Sequence, residues 1–170
     1  YRFYANTHDA GSSILTKNMA YFNPVNFFMH ARDLYAVPCT LKVPQMGNWK
    51  AATALRKDPS QKGVFYADDY HELVDSPTIL SPSLKTLHSR IDGVDYYFHF
   101  QGHFPNQKET EDAVQSNLGK IIREQVAIFG EAPMPAYHFI YLLSDKRIRH
   151  AVEHANSAMY TLPDHVTQSA

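Results

Sequence analysis

Val94-Asp-Tyr-Tyr-Phe-His-Phe-Gln101 is the stretch that decides the fold, because apolar side chains occupy every second position. This period of two is typical of a β-strand with one apolar face. That face consists of Val94, Tyr96, Phe98 and Phe100. His99 falls on the other, polar face together with Asp95 and Gln101, which favours an ordinary structural role for this histidine.

A helical pattern follows this strand, from Lys108 to Phe129. Its apolar residues recur at intervals of three and four, so they line one stripe of a helix. The stripe consists of Val114, Leu118, Ile121, Ile122, Val126 and Phe129. Gly130 comes directly after it and Pro133 lies just beyond, and both are typical of a helix end. We therefore predict one long amphipathic helix.

Tyr137-His-Phe-Ile-Tyr-Leu-Leu143 is apolar on both faces, as a strand in the middle of a sheet would be. A strand, a helix and a second strand with short links predict a βαβ unit, in which the two strands are parallel.

The first third of the chain also has the pattern of short strands. Pro38-Cys-Thr-Leu-Lys-Val-Pro44 alternates, and so does Trp49-Lys-Ala-Ala-Thr-Ala-Leu55. Pro44-Gln-Met-Gly-Asn48 has the turn residues of a hairpin connection between them, which suggests a layer of a β-sandwich. The polar segment Lys57-Asp-Pro-Ser-Gln-Lys-Gly63 is the best candidate for a domain boundary.

Composition limits the classes of function. The net charge is −1, so the chain has no basic surplus for nucleic acid, and 44% of its residues are hydrophobic, enough for a folded core. Cys39 is the single cysteine, which excludes an internal disulfide and a cysteine-based zinc cluster. No apolar run approaches the roughly 20 residues of a membrane span. We expect a soluble protein, cytoplasmic or periplasmic; the compartment and the oligomeric state stay open.

One segment near the end of the chain concentrates chemically useful side chains: His150-Ala-Val-Glu153-His154-Ala-Asn156-Ser157. On a helix, His150 and His154 would share one face and could bind one zinc ion, with Glu153 beside them as a base. The chain has 10 His and 17 acidic residues, enough for a match to H-x-x-E-H to arise by chance. The residues alone therefore leave a zinc pair and ordinary polar residues as alternatives.

Four stretches, taken in order and spacing, carry a family resemblance. They are Leu34-Tyr-Ala-Val-Pro-Cys-Thr-Leu-Lys-Val-Pro44 with Trp49-Lys50; Phe65-Tyr-Ala-Asp-Asp-Tyr-His-Glu-Leu-Val-Asp75-Ser76-Pro77; Ile128-Phe129-Gly130 with Pro133 and Tyr137-His-Phe139; and the segment from His150 to Ser157. Together they resemble the glycyl-aminopeptidase group of zinc metallopeptidases, peptidase family sixty-one. The last stretch is similar to the family's Gly-Gly-Leu-Glu-His-x-x-Ser, although Arg149 to Val152 replace its Gly-Gly-Leu.

The resemblance implies an α+β fold in two parts. Residues 1–60 would be the C-terminal part of a β-sandwich N-terminal domain. Residues 65–170 would be the strand-rich N-terminal lobe of a thermolysin-like catalytic domain, a mixed sheet with one long helix.

The resemblance also implies a role for the segment from His150 to Ser157. In such enzymes it is an edge strand along the active-site cleft, and an edge strand can pair with an extended peptide. Glu153 would then bind the free amino terminus of a peptide substrate through a charge-assisted hydrogen bond. His154, Asn156 and Ser157 would position the strand or line the cleft.

The family's zinc is bound by His-Glu-x-x-His and a later Glu, and neither element occurs here. In the family that helix begins shortly after the position of Ala170. We therefore expect a fragment of a zinc metallo-aminopeptidase whose zinc belongs to the parent protein, with no catalytic residue or metal ligand in this chain, and no activity alone. The alternatives are a non-catalytic peptide-binding or interaction module, and a self-contained H-x-x-E-H zinc hydrolase using His150 and His154.

Overall fold

The computed structural model of the protein describes residues 2–103 and 107–164. In these ranges the strands are β1 (Ser13–Leu15), β2 (Ala20–Phe22), β3 (Cys39–Lys42), β4 (Lys50–Ala52), β5 (Arg56–Lys57), β6 (Val64–Ala67), β7 (Thr78–Ser81), β8 (Lys85–Ile91), β9 (Val94–Gln101), β10 (Ala136–Ser144), β11 (His150–Glu153) and β12 (Ser157–Pro163). The helices are α1 (Tyr70–Val74), α2 (Gln107–Ala113), a π-helical segment (Val114–Leu118) and α3 (Gly119–Phe129), with short 3-10 turns at Pro24–Asn26 and Arg32–Leu34. The fold is mixed α+β.

The described strands form three sheets. Sheet A has the order β1-β2-β7-β4 and sheet B the order β3-β6-β5, and both are antiparallel. Sheet C has the order β11-β12-β10-β9-β8. It is mixed, because β10 lies parallel to β9 and to β12, whereas β11 and β8 are antiparallel edge strands.

Strand β7 of sheet A is buried on both faces, and its consecutive residues Ile79 and Leu80 point to opposite sides of the sheet. On one side Ile79 belongs to the core shared with sheet C, which includes Ile140 and Met159. On the other side Leu80 belongs to the core shared with sheet B, which includes Leu41 and Phe65. The sheets therefore stack in the order B, A, C.

The βαβ prediction is confirmed. The chain leaves β9, forms the helical segment from residue 107 to residue 129, and returns as β10 beside β9 and parallel to it. Leu118 and Ile122 pack on the face of sheet C that sheet A leaves free. Gly130 ends α3 with φ of +91° and donates its N–H to the carbonyl of Val126.

The helix differs from its prediction in two respects. A π-helical segment interrupts it at Val114–Leu118, and the apolar stripe is only partly covered, since Ile121 and Phe129 are exposed. The side chain of Val114 lies outside those described.

The predicted hairpin between residues 38 and 55 is wrong. β3 pairs with β6 in sheet B, and β4 pairs with β7 in sheet A. Leu41 and Ala51 meet across the core between the two sheets rather than side by side within one. The turn residues from Pro44 to Asn48 therefore carry the chain from one layer of the sandwich to the other.

The polar segment from Lys57 to Gly63 connects β5 and β6, which pair with each other in sheet B. Asp58 organises this turn by accepting hydrogen bonds from the N–H groups of Ser60 (2.7 Å) and Gln61 (2.8 Å). The assignment of residues 1–60 and 65–170 to separate domains stays a prediction. Among the described helices none is long and apolar enough to cross a membrane.

Candidate functional site

The segment from His150 to Ser157 forms the edge of sheet C. β11 pairs with β12, with Val152 opposite Met159 and Glu153 opposite Ala158. The N–H of His154 donates to the carbonyl of Ser157 at 2.8 Å and closes the connecting turn. The segment is therefore a strand and a turn, and the helix on which the H-x-x-E-H interpretation depends is not formed.

The outer side of β11 presents main-chain groups to the sheet edge. In an antiparallel pair, opposed residues alternate between hydrogen-bonded and non-hydrogen-bonded positions. His154 and Ser157 form a hydrogen-bonded pair, so Val152 and Met159 form the next one. The N–H and C=O groups of Ala151 and Glu153 then point away from β12, where an added strand would pair with them.

Glu153 is exposed at the end of this edge strand. Its carboxylate lies close enough to two tyrosines of sheet C to affect their ionisation. Burial is the main cause that raises the pKa of Tyr137 to about 12, and the charge of Glu153 adds to it. Burial and Glu153 also raise the pKa of Tyr160. The site thus places the Glu153 carboxylate beside two phenols that stay neutral at neutral pH, and Asp75 also contributes to the raised pKa of Tyr137.

An apolar groove of about 1020 Å³ lies between α3 and the face of sheet C on which the two tyrosines lie. Stacked rings of neighbouring strands form its floor, with ring centroids 5.0 Å apart for Tyr141 and Tyr160. Tyr137 and Tyr160 both line the groove, so Glu153 stands near its margin on the side of β11.

The other predicted site residues occupy different environments. Asn156 is half-buried in the turn, where its carbonyl accepts the N–H of His138 at 3.0 Å. The His154 side chain is only 6% exposed and its Nδ1 lies 2.9 Å from a carboxylate oxygen of Asp75. Ser157 is completely buried on the face opposite Glu153, and its Oγ has no hydrogen-bond partner within the described structure. Of the four residues, only Glu153 is exposed.

Asp75 is a contact of this site that sequence reasoning missed. It caps the C-terminal end of α1, and its second carboxylate oxygen accepts the N–H of Ala155 at 2.8 Å. Seventy-nine residues separate it from His154, so no spacing in the sequence links the two. Tyr137 and Tyr160 were also missed as neighbours of Glu153, although the alternation of β10 could have placed Tyr137 on an apolar face.

His150 and His154 do not meet. Nδ1 of His150 accepts the N–H of Ala10 at 3.1 Å and lies 3.9 Å from the carboxylate of Asp9, whereas His154 contacts Asp75. On extended chain, residues four apart are separated by roughly 13 Å, which is too far for one ion. Within residues 2–103 and 107–164, no three His, Cys, Asp or Glu side chains are grouped to hold a metal ion. The described residues therefore do not form the zinc site that the H-x-x-E-H alternative requires.

A second histidine pair lies on the face of sheet C that is turned towards sheet A. Nε2 of His99 is 3.0 Å from Nδ1 of His138, and Nδ1 of His99 is 2.9 Å from the hydroxyl of Thr86. Burial, with the neighbouring His138, lowers the pKa of His99 to about 3, and burial lowers that of His138 to about 4. His99 is on the face that the alternation predicted, but His138 was not recognised as its partner.

Comparison with known families gives a match over 82 of the 170 residues, just under half of the chain. The profile of the Peptidase M61 N-terminal domain matches residues 1–82, which include β1 to β7. The resemblance to peptidase family sixty-one is confirmed. A comparison with curated proteins gave no match.

Solved structures include a similar one, a crystal structure of an aminopeptidase N family protein from Idiomarina loihiensis. The TM-score is 0.83 at 24% sequence identity, over 93% of this chain and 27% of that chain. At this identity the similarity shows the fold, and this chain spans about a quarter of the length of that protein.

Proposed function

We propose that this chain is part of a zinc-dependent metallo-aminopeptidase and supplies the edge that binds the amino-terminal end of a peptide substrate. Glu153 carries the proposal, since an exposed carboxylate ends the strand at the edge of sheet C among the described strands. The M61 match supports a peptidase-related parent protein. In this proposal the thermolysin-like lobe extends over residues 65–170, and residues outside this chain bind the zinc.

An extended peptide would add to sheet C as a further strand beside β11. Its main chain would pair with the outward groups of Ala151 and Glu153, which fixes its direction and register. Its ammonium group would then lie against the Glu153 carboxylate, in a hydrogen bond strengthened by both charges. Because Tyr137 and Tyr160 stay neutral, they add no competing negative charge. His154 and Asn156 hold the turn in this arrangement, and Ser157 supports it from the interior.

Replacing Glu153 by Gln tests the proposal in the complete protein that contains this chain. We expect kcat/KM for a dipeptide with a free amino terminus to fall about tenfold or more, because the acceptor of the ammonium group loses its negative charge. Hydrolysis rates and inhibition by the N-acetylated form of the same dipeptide measure the effect. The acetylated form should inhibit the wild type and Glu153→Gln equally.

Glu124→Gln is the matched control, since Glu124 is exposed on α3 and does not line the groove. Equal activity of wild type and Glu153→Gln would contradict the proposal. A complete protein that binds the dipeptide without hydrolysing it would favour the non-catalytic module. Zinc that is lost on replacing His150 by Ala would favour the self-contained zinc hydrolase.

A further inference from the structure

Asp75 ties the turn after Glu153 to a distant part of the chain. One carboxylate oxygen of Asp75 lies 2.9 Å from Nδ1 of His154, and the other accepts the main-chain N–H of Ala155 at 2.8 Å. Both partners come from the two residues that directly follow Glu153. The carboxylate is partly buried, with 31% of the side chain exposed, and the His154 ring is almost completely buried.

These two hydrogen bonds act together with the bond that closes the turn. The N–H of His154 donates to Ser157, so the main chain of His154 is held by β12 while its ring is held by Asp75. Asp75 in turn sits at the end of α1, where its own N–H donates to the carbonyl of His71. The position of the turn is therefore fixed relative to both β12 and α1.

A held turn determines where Glu153 points. The two hydrogen bonds of Asp75 restrict the conformations of His154 and Ala155 as soon as the protein folds, before any ligand binds. A site whose supporting contacts are formed in advance binds more tightly than one that must be ordered by its ligand.

We propose that Asp75 is a positioning residue for the amino-terminus site: through His154 and Ala155 it holds Glu153 in the orientation that binds an ammonium group. This inference rests on the proposed function of Glu153. Asp75 acts through its two neighbours and is not assigned a contact with the peptide.

The test compares two inhibition constants in the complete protein, those of one dipeptide with a free amino terminus and of its N-acetylated form. Asp75→Ala should weaken inhibition by the free form about three- to tenfold, the effect expected when one or two groups must be ordered on binding. Inhibition by the acetylated form should not change. Asp75→Asn should restore most of the preference, because its amide oxygen accepts from Ala155 and its amide N–H donates to His154.

Asp69→Ala is the matched control for a structural effect. Asp69 caps the other end of α1 by accepting the N–H of Glu72 at 2.8 Å, so its loss weakens the same helix without touching the turn. Equal weakening of both dipeptides by Asp75→Ala, or the same loss of preference in Asp69→Ala, would show that Asp75 only stabilises the fold. If Asp75→Ala does not fold, His154→Leu, which has no polar side-chain atom, removes one of the two contacts and should still lower the preference. An unchanged preference in that variant would overturn the inference.

The two proposals fail separately. If Glu153→Gln keeps its preference for the free amino terminus, both the proposed function and this inference are contradicted. A preference that disappears in Glu153→Gln but stays intact in Asp75→Ala would end the positioning role alone.

Discussion

Acidification from pH 7 to pH 5 is expected to lower the free energy of unfolding by about 3 to 4 kcal/mol through His99 and His138. Both rings lie between sheets A and C, and only 5% of His99 is exposed. Their nitrogens are 3.0 Å apart, so protonation of both would place two positive charges in contact. Burial accordingly lowers the pKa of His99 to about 3 and that of His138 to about 4.

The sign follows from the difference between the folded and the unfolded chain. In the unfolded chain each histidine binds a proton as the pH falls through about 6.5. In the folded chain neither ring does so above about pH 4. Protons therefore favour the unfolded state between pH 6.5 and pH 4, and each histidine contributes about 2 kcal/mol of the loss between pH 7 and pH 5. Urea denaturation at pH 7, 6 and 5, monitored by circular dichroism, measures this loss in the free energy of unfolding.

The double variant His99→Gln/His138→Gln isolates the effect, because amides keep hydrogen-bonding groups at both positions and do not titrate. Its stability should depend far less on pH in this window. His30→Gln serves as the control: His30 is exposed, and its ring contacts Tyr70 and not the buried pair. The same pH dependence in the wild type and the double variant would refute the assignment.

The βαβ unit could be predicted because local patterns determine it. The alternation of Val94 to Gln101 fixes which face is apolar, and the spacing from Leu118 to Val126 gives the helix that covers this face. Gly130 marks its end in the sequence and in the structure. The prediction that His99 lies on the polar face of β9 was also correct, although the structure buries this side chain instead of exposing it to solvent.

The sandwich could not be assembled in the same way, because turn residues do not reveal which layer the chain enters next. Pro44 to Asn48 have the composition of a hairpin, yet β3 and β4 pair with β6 and β7 in separate sheets. Such pairings are decided by side-chain packing between layers, here Leu41 against the apolar face of sheet A, and not by local propensity.

Two sets of side-chain contacts are equally non-local, one at the candidate site and one on the opposite face of sheet C. The strand that carries Glu153 was implied by the family resemblance, and its edge position is formed as expected. The contacts that hold the turn after this strand are made by Asp75. Asp75 is distant from Glu153 in the sequence, and no spacing or periodicity links the two residues. The pair of His99 and His138 likewise depends on the register of β9 with β10, which periodicity within one strand does not determine.

Replacing Gly102 by Ala is expected to destabilise the protein by about 3 to 5 kcal/mol, at the upper end of single substitutions. Gly102 follows β9 with φ of +111°, a backbone conformation that side chains with a Cβ rarely adopt. An added Cβ would lie 2.2 Å from the carbonyl oxygen of Leu143 and 2.9 Å from its carbonyl carbon. Urea denaturation at pH 7 gives the difference in the free energy of unfolding.

Gly130→Ala separates backbone strain from this collision. Gly130 has φ of +91° and nothing within 4 Å of the added Cβ, so its replacement should cost only the strain, about 1 to 2 kcal/mol. The carbonyl of Leu143 has little freedom to retreat, because β10 is bound to β9 on one side and to β12 on the other. The side chain of Leu143 is itself buried against the helix-covered face of sheet C. Relief of the collision must therefore disrupt the end of the central strand, and equal losses for the two variants would show that this end can move.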